Sequence, residues 1–284
     1  MTLDTAARER WVWLDGRVSR AVEVALPALD PGARDAEALF ETLHVRDGRP
    51  FLWLRHLERL ARSAAELGFP DPPASETLED ALSRVLEASG LGEAVIRITL
   101  THGQAEGPPS PGCWLEAEPL EARLWAGARS GDASAILASR AFEVGPLSRH
   151  KTTSRLAHRA ALDEARGRGA DEALLVSPAG LVLEGTMSSV FAVVAGEILT
   201  PPLSAGILPG VTRMWVLETC QARGLPAREE NIHRDRLTSA DEVFVTNAVQ
   251  GAVPIVVLEG RPVPGRAIGL ELRRICRTAA ECRP

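Results

Sequence analysis

Between Asp171 and Thr200 the chain reads DEALLVS, LVLEGTMSSVFAVV and EILT, apolar runs separated only by Pro178-Ala179-Gly180 and Ala195-Gly196. Connections this short join antiparallel neighbours, since a parallel pair needs a long crossover. The stretch predicts an antiparallel meander, and the rest of the chain has to supply layers that cover it. Downstream, the loop PPLSAGILPG opens into a helix from Val211 to Arg223 that Gly224 closes. DEVFVTNA (241–248) reads as a further strand and GRAIGLELRRICRTAAEC (265–282) as a terminal helix.

The first half carries the same signals in another order. WVWLDGRVSRAVEVA (11–25) predicts a hairpin about Asp15-Gly16, and ALFETLHVR (38–46) a strand that Asp47-Gly48 turns into a strand PFLWL. Leu57, Leu60, Ala61, Ala64 and Leu67 recur at helical spacing until Gly68. A second helix follows, with Ser75 as its cap and Leu78, Leu82, Val85 and Leu86 on its buried stripe. AVIRITLT (94–101) alternates, with Ile96, Ile98 and Leu100 on one face and Arg97 on the other, where it is either solvated or part of a site. Cys113 to Glu118 reads as a strand after the Pro/Gly-rich loop 103–112. The expected layout is a smaller α/β domain over 1–120, a linker over 121–131, and a second domain over 132–284. In that second domain SAILASRAFEV (134–144) is a strand, and a helix follows Lys151 at once with Leu156, Ala160 and Ala161 inward.

A hydrophobic content of 45% with 25% charged residues belongs to an ordinary globular protein, and a net charge of -6 argues against nucleic acid or an acidic membrane surface as partner. Cys113, Cys220, Cys276 and Cys282 show no zinc spacing and read as reduced thiols. No apolar run approaches a membrane span or a signal segment, so a cytoplasmic protein is expected.

Lys151 is the only lysine; the other 31 of the 32 basic residues are arginine. Arginine supplies charge and phosphate contacts, but it cannot act as an amine nucleophile at neutral pH. Lys151 is therefore either a leftover of composition or the carrier of covalent chemistry, most simply a Schiff base with pyridoxal phosphate. Such a site needs a phosphate cradle, a partner for the pyridine nitrogen and an apolar wall. Leu208-Pro209-Gly210-Val211-Thr212 runs into a helix N-terminus, where free N–H groups and the helix dipole favour a phosphate. Arg59 could fork onto the same group or simply be a solvated helix charge. Glu184 lies in the apolar, hydroxyl-rich LVLEGTMSSVF, so it either meets the pyridine nitrogen or closes a strand-end salt bridge. No Gly-x-Ser-x-Gly elbow, Rossmann fingerprint or Walker loop is present.

Taken in order, His56-Leu57-Glu58-Arg59-Leu60, Lys151, Glu184, LPGVTR and VFVTNA resemble the class IV aminotransferases, the fold type IV pyridoxal phosphate enzymes, over nearly the whole chain. The resemblance implies a two-domain α/β (α+β) fold like that of D-amino-acid aminotransferases, and a homodimer. It implies that Arg59 binds cofactor phosphate, that Lys151 is the Schiff-base and catalytic residue, and that Glu184 pairs with the pyridine nitrogen. It further implies that Leu208 packs on the ring while Val211, Thr212, Asn247 and Ala248 lie on the phosphate side. Phe40-Glu41-Thr42 and Thr246-Asn247-Ala248-Val249-Gln250-Gly251 are most similar to aminodeoxychorismate lyases, which make 4-aminobenzoate for folate. Branched-chain and D-amino-acid aminotransferases are the rivals. Thr42 and Arg97 are the candidate substrate contacts, the latter resembling an arginine of the branched-chain enzymes. The absence of tyrosine, His102 where the lyases commonly have arginine, and the stretch DPGARDAEAL all depart from the pattern. These departures leave room for a protein that binds the cofactor without turning over substrate.

Overall fold

The computed structural model describes residues 10–14, 16–103, 112–120 and 132–281. They pack as two compact units, one of residues 1–123 with 150–154 and one of 124–149 with 155–284. The expected linker 121–131, Asp15 of the first turn, most of the loop 103–112 and Cys282 lie outside the described residues.

In the first unit β1 (Trp11–Leu14) and β2 (Arg17–Arg20) form the expected hairpin, with Trp11 opposite Arg20. With β3 (Ala38–Arg46), β4 (Arg49–Pro50), β5 (Glu93–Thr101) and β6 (Cys113–Pro119) they make an antiparallel sheet in the order β2-β1-β6-β5-β3-β4. Ile96, Ile98 and Leu100 are fully buried on one face and Arg97 lies on the other, as the alternation requires. Two helices, α1 (Trp53–Leu67) and α2 (Ser75–Ser89), cover the apolar face. PFLWL is not a strand. Leu52 turns into the left-handed region at φ 55° and Trp53 opens α1, its indole N–H reaching Ser75 Oγ at 3.3 Å and Glu79 Oε1 at 3.2 Å. Ser75 is consequently the first helical residue, Ala74 holds the cap position, and the Ser75 hydroxyl donates to Glu79 at 2.9 Å.

The second unit is a sheet of β7 (Ala133–Leu137), β8 (Glu172–Val176), β9 (Leu181–Gly185), β10 (Ser189–Val194), β11 (Glu197–Thr200), β12 (Ala227–Glu229), β13 (Ile232–His233), β14 (Glu242–Asn247) and β15 (Gly251–Leu258), ordered β12-β11-β10-β14-β15-β7-β8-β9-β13. β16 (Arg261–Pro262) pairs with β15. Helices α3 (Leu156–Gly167), α4 (Val211–Ala222) and α5 (Ala267–Glu281) pack on β8, β14 and β15 respectively. The predicted meander is therefore two hairpins, β8-β9 and β10-β11, that part where LEGTMSSVF was read as one strand. The break falls at Thr186–Ser188 because the carboxylate of buried Glu172 collects this segment's donors: Thr186 N at 3.0 Å, Met187 N at 3.3 Å and Ser188 Oγ at 2.8 Å. A segment that gives its N–H groups to a side chain cannot stay in a ladder.

Two further expectations change. β7 ends at Leu137, well short of residue 144, and α3 starts five residues after Lys151 with Leu156 87% exposed, while Leu162 and Ala165 face inward. The sequence boundary also put Lys151 in the C-terminal domain, whereas His150–Ser154 packs with the first unit. It lies along the edge of β3, where Phe40 N donates to Lys151 O at 2.9 Å, Thr153 N donates to Ala38 O at 2.8 Å, and Leu39 bridges Thr152.

The second sheet is packed on both faces, and Phe191 stacks on Phe244 with centroids 4.8 Å apart, both fully buried. Cys113, Cys220 and Cys276 are buried free thiols. No described helix is long and apolar enough to cross a membrane. Truncating Phe244→Ala opens a ring-sized void beside Phe191 and should lower unfolding free energy by about 3–5 kcal/mol, read from urea titration.

Candidate active site

β3 divides its side chains between two faces. Glu41 points to α1, where its carboxylate takes Arg59 Nε at 2.8 Å on one oxygen and, on the other, Arg59 Nη2 at 2.6 Å and His56 Nδ1 at 2.7 Å. All three side chains are buried, so the guanidinium is matched by a fork of two charge-assisted bonds. Burial acts to raise the Glu41 carboxyl, but Arg59 and His56 outweigh it and hold it down at about 2. Burial pushes His56 below its ordinary value, more strongly than Glu41 pulls it up, so the ring is neutral and donates from Nδ1. Arg59 is thus no solvated helix charge.

Phe40 and Thr42 occupy the other face. Thr42 lies directly across from Arg97 of β5, so the two candidate substrate residues are a cross-strand pair. The Arg97 guanidinium sits 3.8 Å from the Phe40 ring centroid, and the Lys151 amine 4.6 Å from the same centroid. Phe40 thereby joins Lys151 to Arg97, a role that sequence reasoning missed although it quoted the residue. The signal was there, since Phe40 and Thr42 share a face at a spacing of two. Arg97 also reaches Thr99 Oγ1 at 3.2 Å and Glu116 at 3.7 Å. His102 stacks on Phe69 at 4.0 Å. Asp30, which opens the divergent DPGARDAEAL stretch, accepts from Thr101 Oγ1 and Gly32 N, each at 2.7 Å.

The second unit holds Glu184, Leu208, Val211, Thr212, Asn247 and Ala248. Glu184 is buried and accepts from Leu208 N at 3.2 Å. Its cationic neighbour is Arg155, which donates to the Thr186 carbonyl. Burial lowers the Arg155 guanidinium from its ordinary value while Glu184 and Glu172 oppose the shift. Sequence reasoning missed Arg155 because no periodicity marks the residues between Lys151 and α3. Val211 and Thr212 open α4 after Gly210, and a Cβ added to Gly210 would stand 2.6 Å from Ser189 Oγ. The Thr212 hydroxyl is buried without a hydrogen-bond partner. Asn247 turns inward on its own loop, where Oδ1 accepts from Val249 N at 3.0 Å and Gln250 N at 2.9 Å.

Residues 38–258 match the family described as amino-transferase class IV. The chain belongs to this family. Among curated relatives it is 30% identical to the bifunctional aminodeoxychorismate lyase / D-amino acid transaminase of Mycobacterium tuberculosis, over 89% of this chain and 92% of that one. Among solved structures, a hypothetical aminotransferase from Mycobacterium tuberculosis in its PLP-bound form superposes with a TM-score of 0.87 at 27% identity, covering 95% of this chain and 98% of that one. The branched-chain aminotransferase of Thermoproteus uzoniensis with norvaline superposes with a TM-score of 0.84 at 28% identity, over 95% of each chain. The expected mixed α/β fold of a class IV aminotransferase is met, and with it membership of a pyridoxal-phosphate enzyme family.

The Glu41 cluster makes the first unit acid-sensitive. His56 has a folded value below that of the unfolded chain, so its share of stability is full above about pH 6.5 and is lost as pH falls through the folded value. Glu41 is also lowered, so its share is present above about pH 4.5 and disappears toward pH 2. Urea titrations between about pH 7.5 and pH 2 should show stability falling in that order, with His56→Gln removing the upper step and keeping the lower.

Proposed function

We propose that this class IV aminotransferase binds pyridoxal phosphate through Lys151 and acts as an aminodeoxychorismate lyase, releasing pyruvate and 4-aminobenzoate. The observation that carries the reading is the Phe40 ring shared by the Lys151 amine and the Arg97 guanidinium, with Thr42 across from Arg97. An amine, a carboxylate-binding guanidinium and a hydroxyl on one strand pair suit a small amino substrate that carries a carboxylate.

The residues present fit the cofactor. The orphaned Thr212 hydroxyl and the first-turn N–H groups of α4 are donors without acceptors, which is what a phosphate dianion requires. A side chain at position 210 would crowd Ser189, so the approach to that helix end needs glycine. Arg59, Val211 and Thr212 would hold the phosphate, Leu208 and Ala248 would pack nearby, and Glu184 would face the pyridine nitrogen. When bound, the cofactor supplies an aldehyde that condenses with primary amines and a ring that draws electrons from the substrate carbon beside nitrogen. Lys151 would hold the cofactor through its amine, and the same amine is the group placed to take the proton from that substrate carbon. Glu184, which accepts from Leu208 N and has Arg155 as its cationic neighbour, would be the hydrogen-bond partner of the ring nitrogen. Arg97 and Thr42 orient the substrate carboxylate.

A second reading, an aminotransferase acting on D-amino or branched-chain amino acids, is favoured by the names of the relatives. It uses the same Lys151 and differs in requiring a keto-acid acceptor. Supplied with aminodeoxychorismate and no keto acid, the protein should release pyruvate, scored with a lactate dehydrogenase couple. Absence of pyruvate together with amino transfer from an amino-acid panel to 2-oxoglutarate would move the assignment to the second reading. Lys151→Arg should abolish both the borohydride-reducible adduct and turnover; a reducible coloured adduct in that variant contradicts the assignment of Lys151.

A further inference from the structure

Asn247 and Ala248 were the expected last contacts on the phosphate side. The Asn247 amide oxygen accepts from two N–H groups of its own turn, which leaves its NH2 as the side-chain donor, and Ala248 has no polar side-chain atom. One residue earlier, the Thr246 hydroxyl is buried and has no hydrogen-bond partner. Buried hydroxyls in that condition are uncommon and costly, and valine, equal in shape, would avoid the cost on a strand. Thr246 lies opposite Ser189 in the β10-β14 ladder, so the two side chains share one face of the sheet. The Ser189 hydroxyl lies 2.6 Å from where a Cβ of Gly210 would be, and α4 begins at the next residue. Helix α4 also packs on β14. Thr246 therefore shares a sheet face with the residue that meets Gly210, the position before the helix that carries the second orphaned hydroxyl, Thr212.

We propose that Thr246 is a phosphate ligand, its hydroxyl donating with that of Thr212 to the anion seated on the first turn of α4. The assignment rests on the cofactor reading above, and it adds to Asn247 and Ala248 a residue on the strand itself. The helix end supplies the N–H groups and the dipole, and the strand beneath it supplies the hydroxyl that closes the cradle from the opposite side. The orphaned atom is satisfied only when the ligand is present, so removing it separates stability from binding.

The test uses the cofactor-stripped full chain, titrated with pyridoxal phosphate and, separately, with pyridoxal, which has the aldehyde and ring but no phosphate. Thr246→Val should leave the melting temperature of the stripped protein unchanged or raise it. It should weaken pyridoxal phosphate binding about tenfold and leave pyridoxal binding unchanged. Thr246→Ser, which keeps the hydroxyl, should hold wild-type affinity for pyridoxal phosphate. Wild-type affinity in Thr246→Val, an equal loss for both compounds, or a loss in Thr246→Ser as large as in Thr246→Val overturns the assignment. Wild-type protein that takes up neither compound overturns the cofactor reading itself, an outcome distinct from all of these.

Discussion

Two backbone hydrogen bonds, Phe40 N to Lys151 O and Thr153 N to Ala38 O, decide where the single lysine is. They exist because β4 pairs only with Val45 and Arg46, leaving the other half of β3 with an open edge. An open edge presents donors and acceptors at fixed spacing, so a segment laid along it is held by its main chain and needs no particular side chains. Lys151 can then send its amine over the Phe40 ring while its own backbone does the anchoring. β3 serves three surroundings at once through the period of two. Leu39, Glu41, Leu43 and Val45 go to the helices, Phe40 and Thr42 to the opposite face, and the edge takes Lys151.

How much of this could be read beforehand follows the range of the interactions. The hairpin at Trp11–Arg20, the strand of Arg97, the helical stripe from Leu57 to Leu67 and the loop entering α4 are set by local period and turn chemistry, and they stood in the sequence. The break in LEGTMSSVF did not, because it is caused by Glu172, which lies outside that stretch. Nor did the phase of α3, where Leu156 and Ala160 are exposed while Ala161, Leu162 and Ala165 turn inward. A helical stripe fixes its period but not which arc meets the sheet when small residues occupy several arcs.

The candidate site shows the same division. Residue types came through because chemistry restricts them: one amine among 31 guanidinium groups, a carboxylate in apolar company, a glycine before a helix. Partnerships did not come through. Glu41 with Arg59, Arg155 with the Thr186 carbonyl, and Asn247 with its own turn each depend on where the chain returns in space. Asn247 is the instructive case, since its side chain caps its own turn through the amide oxygen, and only the NH2 is left to meet a ligand. Thr246, one residue away and on the other face of the strand, stood in the same quoted motif and was given no role.

The two units also treat buried polarity differently, each within itself. In the first, Arg59 is fixed by a fork from Glu41 that His56 buttresses, so its position is set before any ligand arrives. Little rotamer freedom remains to be lost on binding, which is where a long side chain would otherwise weaken affinity. In the second, the hydroxyls of Thr212 and Thr246 are buried with no partner. Their desolvation is a standing cost of folding, and a ligand that accepts from them recovers it as affinity. A preset cation lowers the cost of association and an unsatisfied donor raises its reward. The first effect survives in any protein that keeps the Glu41 cluster folded, whereas the second weakens with each hydroxyl removed and its removal costs the fold nothing.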